Sequence, residues 1–165
     1  MGAYLVVANL TAESPSLRAE AAAIVDRDPK AEFLVLVPMR SISPLVALLG
    51  GLDGRALRRT RAARVRGRLE SVGARHVRVR LGRDEPLAEI EHALAQETFD
   101  EVIISTLPRA LSHWLRLDLP GRVARRYPGL SVRHVEAPEA FYVERGWEVG
   151  LARAETAQAD AARSD

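Results

Sequence analysis

The chain has 165 residues, 47% hydrophobic and 28% charged, with a formal net charge of +2, a composition that suits one globular domain with a sizeable core. It has no cysteine, which excludes disulfides, thiol catalysis and thiolate metal sites and makes a cytoplasmic location the expectation. No apolar run approaches the ~20 residues that span a bilayer, and Tyr4-Leu5-Val6-Val7-Ala8 lacks the basic flank and cleavage site of a signal peptide.

Met1 to Asn9 reads as a first strand, apolar on both faces. Ser14-Pro15 then announces a helix, with Leu17, Ala21, Ile24 and Val25 at helical spacing and Asp28-Pro29 closing it. Phe33 to Val37 is a second strand, apolar throughout and ended by Pro38. Residues 39–54 are irregular around the apolar patch Leu45 to Leu49, which suits a cover over the strand ends or a short hydrophobic contact. A long helix follows from Asp53 to Val72, with Ala62, Val65, Leu69 and Val72 on one stripe and Gly73 beyond its end.

The third strand, Arg75 to Leu81, alternates: Val77, Val79 and Leu81 on one face, His76, Arg78 and Arg80 on the other. Such alternation belongs at a sheet edge with one wet face. Gly82 to Pro86 is a turn into a helix with Asp84 as its cap and Leu87, Ile90 and Leu94 inward. Val102-Ile103-Ile104 is a buried strand ending at Ser105-Thr106, and after more helix Leu130 to Val135 is a last, half-polar strand.

Five strands alternating with helices predict an α/β fold: one open parallel sheet with helices on both faces. The order 3-2-1-4-5 puts the half-polar strands at the edges and the apolar ones inside. It also places the order reversal between strands one and four, so Asn9 and Ser105 flank the crevice where ligands of such sheets bind. Residues 1–137 form this domain; 138–165, with Phe141, Tyr142 and Trp147 among charges, read as a C-terminal arm or frayed tail.

The usual phosphate loops are missing: Asn9-Leu10-Thr11-Ala12-Glu13-Ser14 follows the first strand, and no Gly-Lys-Ser/Thr occurs. His76, His92, His113 and His134 show no metal-ligand spacing. Ser112, beside His113, is most simply a helix N-cap, and so is Asp118 before Leu119-Pro120. No catalytic residue and no metal site is assigned.

Lys30 is the only lysine; the other basic residues are arginine. Arg55, Arg58, Arg59, Arg61, Arg64, Arg66 and Arg68 crowd the long helix, yet at about 100° per residue they spread over more than one face. A reader of nucleic-acid sequence would gather them on one side with aromatic or Asn/Gln partners, so a nucleic-acid partner is not the first expectation. Polyanion binding through this helix stays as an alternative. Around the crevice, Arg109, Arg116 and Arg122 suit a phosphate, since guanidinium matches its oxygens bidentately; a plain surface role suits them equally.

The stretch from Phe99 to Val135 resembles the universal stress protein family. Its members end the fourth strand in a small residue plus Ser/Thr, then carry an ATP pattern Gly-x2-Gly-x9-Gly-Ser/Thr before a helix. The element order of residues 3–137 agrees, and Gly82 to Pro86 is similar to the family's Gly-Asp/Asn-Pro turn. Ser105-Thr106-Leu107-Pro108 through Arg122 resembles a bacterial branch of such chains. In the ATP pattern, however, Pro108 and Leu111 stand for the first two glycines, Gly121 matches the third, and Arg122 replaces the hydroxyl residue. Asn9 stands where an acidic residue is expected.

Glycines there let backbone N–H groups close on phosphates; Pro108 has none to offer and Leu111 adds bulk. The resemblance therefore implies a binding or regulatory module of stress response with impaired ATP binding and no turnover. It also implies a homodimer, commonly formed through the last strand. Asn9, Ser105, Thr106, Arg109, Ser112, Gly121 and Arg122 are the candidate residues for a nucleotide, ATP or AMP, or for a smaller anion. Weak nucleotide binding with little or no hydrolysis is the alternative.

Overall fold

The structure, a computed structural model, describes residues 1–9, 11–38, 54–82, 85–108, 112–138 and 140–143, with side chains omitted at 54–58, 113, 142 and 143. The Leu45–Leu49 patch, Asp84, Arg109 and the tail beyond residue 143 lie outside the described residues. In chain order the elements are β1 (Ala3–Ala8), α1 (Pro15–Arg27), β2 (Glu32–Pro38), α2 (Gly54–Glu70), β3 (His76–Gly82) and α3 (Pro86–Gln96). After these come β4 (Glu101–Thr106), α4 (His113–Arg116), α5 (Leu119–Arg126), β5 (Ser131–Glu136) and α6 (Ala140–Val143).

All pairings are parallel and the strand order is β3-β2-β1-β4-β5, as the hydrophobic pattern predicts. The apolar strands have two core faces because successive side chains point opposite ways. Val6, Phe33, Val35 and Ile103 meet Leu17, Ala21 and Ile24 of α1 and Val65 and Leu69 of α2. Leu5, Val7, Leu34, Leu36, Val102 and Ile104 form the other cluster, under Ile90 and Ala93 of α3 and Leu119 and Val123 of α5.

Boundaries follow local chemistry. Ser14 Oγ accepts from Leu17 N at 3.2 Å, starting α1 with Pro15 in its first turn. Gly73, at φ +93°, takes the left-handed turn that ends α2. The N-cap of α3 is Glu85, not Asp84, and its side chain makes no cap bond. Pro86, fit for the first helical position, sets that boundary one residue later than the polar pattern suggests.

The edges are tied by ions. Glu101 is buried at the start of β4, where it accepts from Arg133 Nε at 2.9 Å and Ser131 Oγ at 3.2 Å. Arg133 also reaches Glu20 of α1 at 2.8 Å, joining helix, central strand and edge strand. On β3, Val77, Val79 and Leu81 pack inward, while Arg78 and Arg80 converge on Glu97 after α3.

The Arg78 hydrogen bond, with less help from Arg80, holds the Glu97 carboxyl below the usual carboxylate range. A depressed folded value means that the group's contribution is present above its unfolded pKa and fades as pH falls through the folded one. Urea unfolding of Glu97→Gln should therefore show a constant deficit above about pH 5 that closes as the pH drops below about 4. A deficit independent of pH would contradict the pairing.

Candidate functional site

The strand order reverses between β1 and β4, whose ends lie side by side with Ala8 paired to Ser105. At such a reversal the connections leave in opposite directions and open a crevice. Asn9 and Ser105 do flank that position, and the polypeptide after β1 is pinned over it. Thr11 Oγ1 donates to the Ser105 carbonyl at 2.9 Å, and Ala12 N to the Asn9 carbonyl at 3.2 Å.

Asn9 is held from outside. One guanidinium nitrogen of Arg61, on α2, donates to both the Asn9 carbonyl at 2.8 Å and its Oδ1 at 2.9 Å. By sequence this arginine is one of the seven that crowd the long helix. Nothing in the residue string separates it from its six arginine neighbours; its partner is 52 residues away. Thr11, within the string that follows the first strand, is the other contributor the sequence does not single out.

Ser105 is fully buried, and among the described residues its hydroxyl has no hydrogen-bond partner. An unpaired buried hydroxyl costs about 1–3 kcal/mol, so its retention beside the crevice needs a reason. Thr106 is not in the same situation. Its Oγ1 lies 2.7 Å from Nε2 of His134 on β5, and its carbonyl accepts from Ala137 N at 2.9 Å.

The later candidates act locally. Ser112, buried, accepts from Leu115 N at 3.2 Å and so caps α4. Asp118, at φ +50°, caps α5: its Oδ1 accepts from Gly121 N at 3.3 Å and its Oδ2 from Arg125 at 3.1 Å. A methyl group at Gly121 would run into both carboxylate oxygens, so the absent side chain is what lets Asp118 lie over the helix start. Arg122 is exposed beside it. Thus Asn9, Ser105 and Thr106 gather at the strand ends, Ser112, Gly121 and Arg122 sit on the following loop and helices, and Arg109 lies outside the described residues.

The electrostatics of α5 follow from these contacts. A helix start attracts anions through its free N–H groups and the positive end of its dipole. Here the chain's own carboxylate already holds that position. Among the described residues, no group of three or more acidic or histidine side chains could hold a metal, and no helix is long and apolar enough to cross a membrane.

No protein-family model matches the chain, and no curated protein matches it in sequence. Among solved structures, the chain is similar to a universal stress protein crystallised in complex with cAMP, with a TM-score of 0.57 and 14% identity. That likeness covers 83% of this chain and 98% of the other. The likeness is one of fold: a five-stranded parallel sheet in the order seen here, as the resemblance of Phe99 to Val135 implies.

Proposed function

We propose that the protein is a universal-stress-protein-like binding and regulatory module, without turnover, whose crevice disfavours ATP. The observation that carries this reading is the Asp118 carboxylate on the Gly121 N–H. A phosphate approaching α5 must displace a bound anion of the same sign and break an N-cap worth about 1 kcal/mol. Pro108, without an N–H, and Leu111, with its bulk, weigh in the same direction.

A ligand with fewer phosphates is the second reading. The unpaired Ser105 hydroxyl lies at the strand ends, the exposed Arg122 guanidinium suits a single phosphate, and the structural neighbour carries cAMP. A mononucleotide such as AMP, or a small anion, would then occupy the crevice between Asn9 and Ser105. A homodimer belongs to the same proposal, since β5 ends the sheet and offers an edge for a second copy.

Thermal unfolding with magnesium and either ATP or AMP tests both readings. A ligand at about 100 times its Kd adds ~2.7 kcal/mol, several degrees for a chain of this size. The expected result is no shift with ATP. A shift of several degrees with ATP would overturn the first reading; a shift with AMP alone supports the second, and none with AMP ends it.

A further inference from the structure

The charge of this chain is concentrated in one helix. Helix α2 carries seven arginines against one glutamate, Glu70, whereas the rest of the chain has 17 basic residues against 21 acidic ones. A mild overall charge thus hides a strongly basic element on a weakly acidic body.

The packing of α2 arranges those arginines. Val65 and Leu69 are buried and define its inner side. At about 100° per residue, Arg59 and Arg66 then fall on one flank, and Arg61, Arg64 and Arg68 on the other. Between the flanks the outer ridge is Thr60, Ala63 and Gly67, with Glu70 at its C-terminal end, all exposed. A methyl group at Gly67 would meet nothing within 4 Å, so this ridge is open. The spread over several faces that argues against sequence reading is, on the folded protein, two basic rows beside a low ridge.

Among the described side chains of this helix, two arginines are engaged. Arg61 holds Asn9, and Arg64 lies 3.7 Å from Glu13. Arg59, Arg66 and Arg68 are exposed, and their guanidinium groups have no ion pair or hydrogen bond among the described residues. They differ in this from Arg78, Arg125, Arg126 and Arg133, each of which has an acidic partner.

We propose that this face of α2 docks the phosphate backbone of a nucleic-acid duplex through Arg59, Arg66 and Arg68, without reading its sequence. Charge complementarity selects the partner. A duplex carries one charge per about 1.7 Å, and the nine helical steps from Arg59 to Arg68 cover about 14 Å of helix axis. Phosphate contacts need no aromatic or amide side chain, since base edges are not read. An anionic membrane would call for apolar or aromatic residues on the outer face to insert, and an acidic protein surface for an apolar anchor. The outer ridge has neither, and Val65 and Leu69 turn inward. Docking on this face does not depend on what binds in the crevice.

The test is fluorescence anisotropy of the full chain with a labelled mixed-sequence duplex of about 20 base pairs, from about 25 to 200 mM NaCl. Binding should weaken steeply with salt. R59Q/R66Q/R68Q should flatten the log–log salt slope by about three, one per lost phosphate contact. R59K/R66K/R68K, which keeps the charges, should restore most of it, and both variants should melt like the parent. No binding at the lowest salt, or a Gln variant that binds like the parent, would overturn the proposal. Equal competition by polyglutamate or by phosphatidylserine vesicles would overturn it as well.

Discussion

Phe33→Ala is expected to destabilise the fold by about 3–5 kcal/mol, lowering Tm by about 6–20 °C, while leaving the crevice intact. Phe33 is 1% exposed and belongs to the cluster that joins β1, β2 and β4 to α1 and α2. Its ring stacks on Tyr4, the residue paired with it in the sheet, with centroids 5.5 Å apart. Truncation removes that contact and opens a cavity between two helices whose backbones are fixed by the sheet beneath them, so little collapse can offset the loss. The position is five residues before Pro38, the end of β2, hence about 16 Å from the strand ends where the crevice lies. A loss below about 1 kcal/mol would mean that the two-layer core is packed otherwise than described.

The second large effect is a gain. Asp118→Asn should strengthen binding of phosphate-bearing ligands at the start of α5 by about five- to tenfold. Asparagine caps a helix as well as aspartate does and tolerates the left-handed conformation at φ +50°, so the helix itself should survive. What disappears is one negative charge beside the Gly121 N–H. At 4 Å in bulk water a unit charge pair is worth about 1 kcal/mol, and Asp118 is exposed enough for water-like screening to apply. That removes about a fivefold penalty for the phosphate charge beside the carboxylate, and less for charges farther away. Gly121→Ala is the opposite control: its methyl must push the carboxylate aside, costing the cap without preparing a site.

Much of the fold was legible because it rests on pattern. Unbroken apolar runs mark β1, β2 and β4 as interior strands, and alternation in Val77 to Leu81 and the half-polar mix of Leu130 to Val135 mark the edges. Ser14, Ser112 and Asp118 could be read as caps because a cap is a local arrangement of three or four residues. Gly73 is equally local. The site was legible only in outline. Its location at the β1/β4 ends follows from strand order, but its bonds depend on how helices lie against the sheet. The Arg61 contact to Asn9 spans 52 residues, the Thr11 bond to the Ser105 carbonyl 94, and the Arg133 bridge to Glu20 113. Arg61 looks like any of seven arginines in the string. The unpaired hydroxyl of Ser105 is a property of its surroundings, and no residue type announces it.

In the proposed function, Asp118 holds the anion position of α5 against ATP. The most direct test follows the Gly121 amide by nuclear magnetic resonance while magnesium-ATP is added at neutral pH. The expected resonance stays in place in the parent chain and moves in Asp118→Asn. A Gly121 resonance that moves with ATP in the parent would contradict it, because the carboxylate would then be no obstacle to the phosphate.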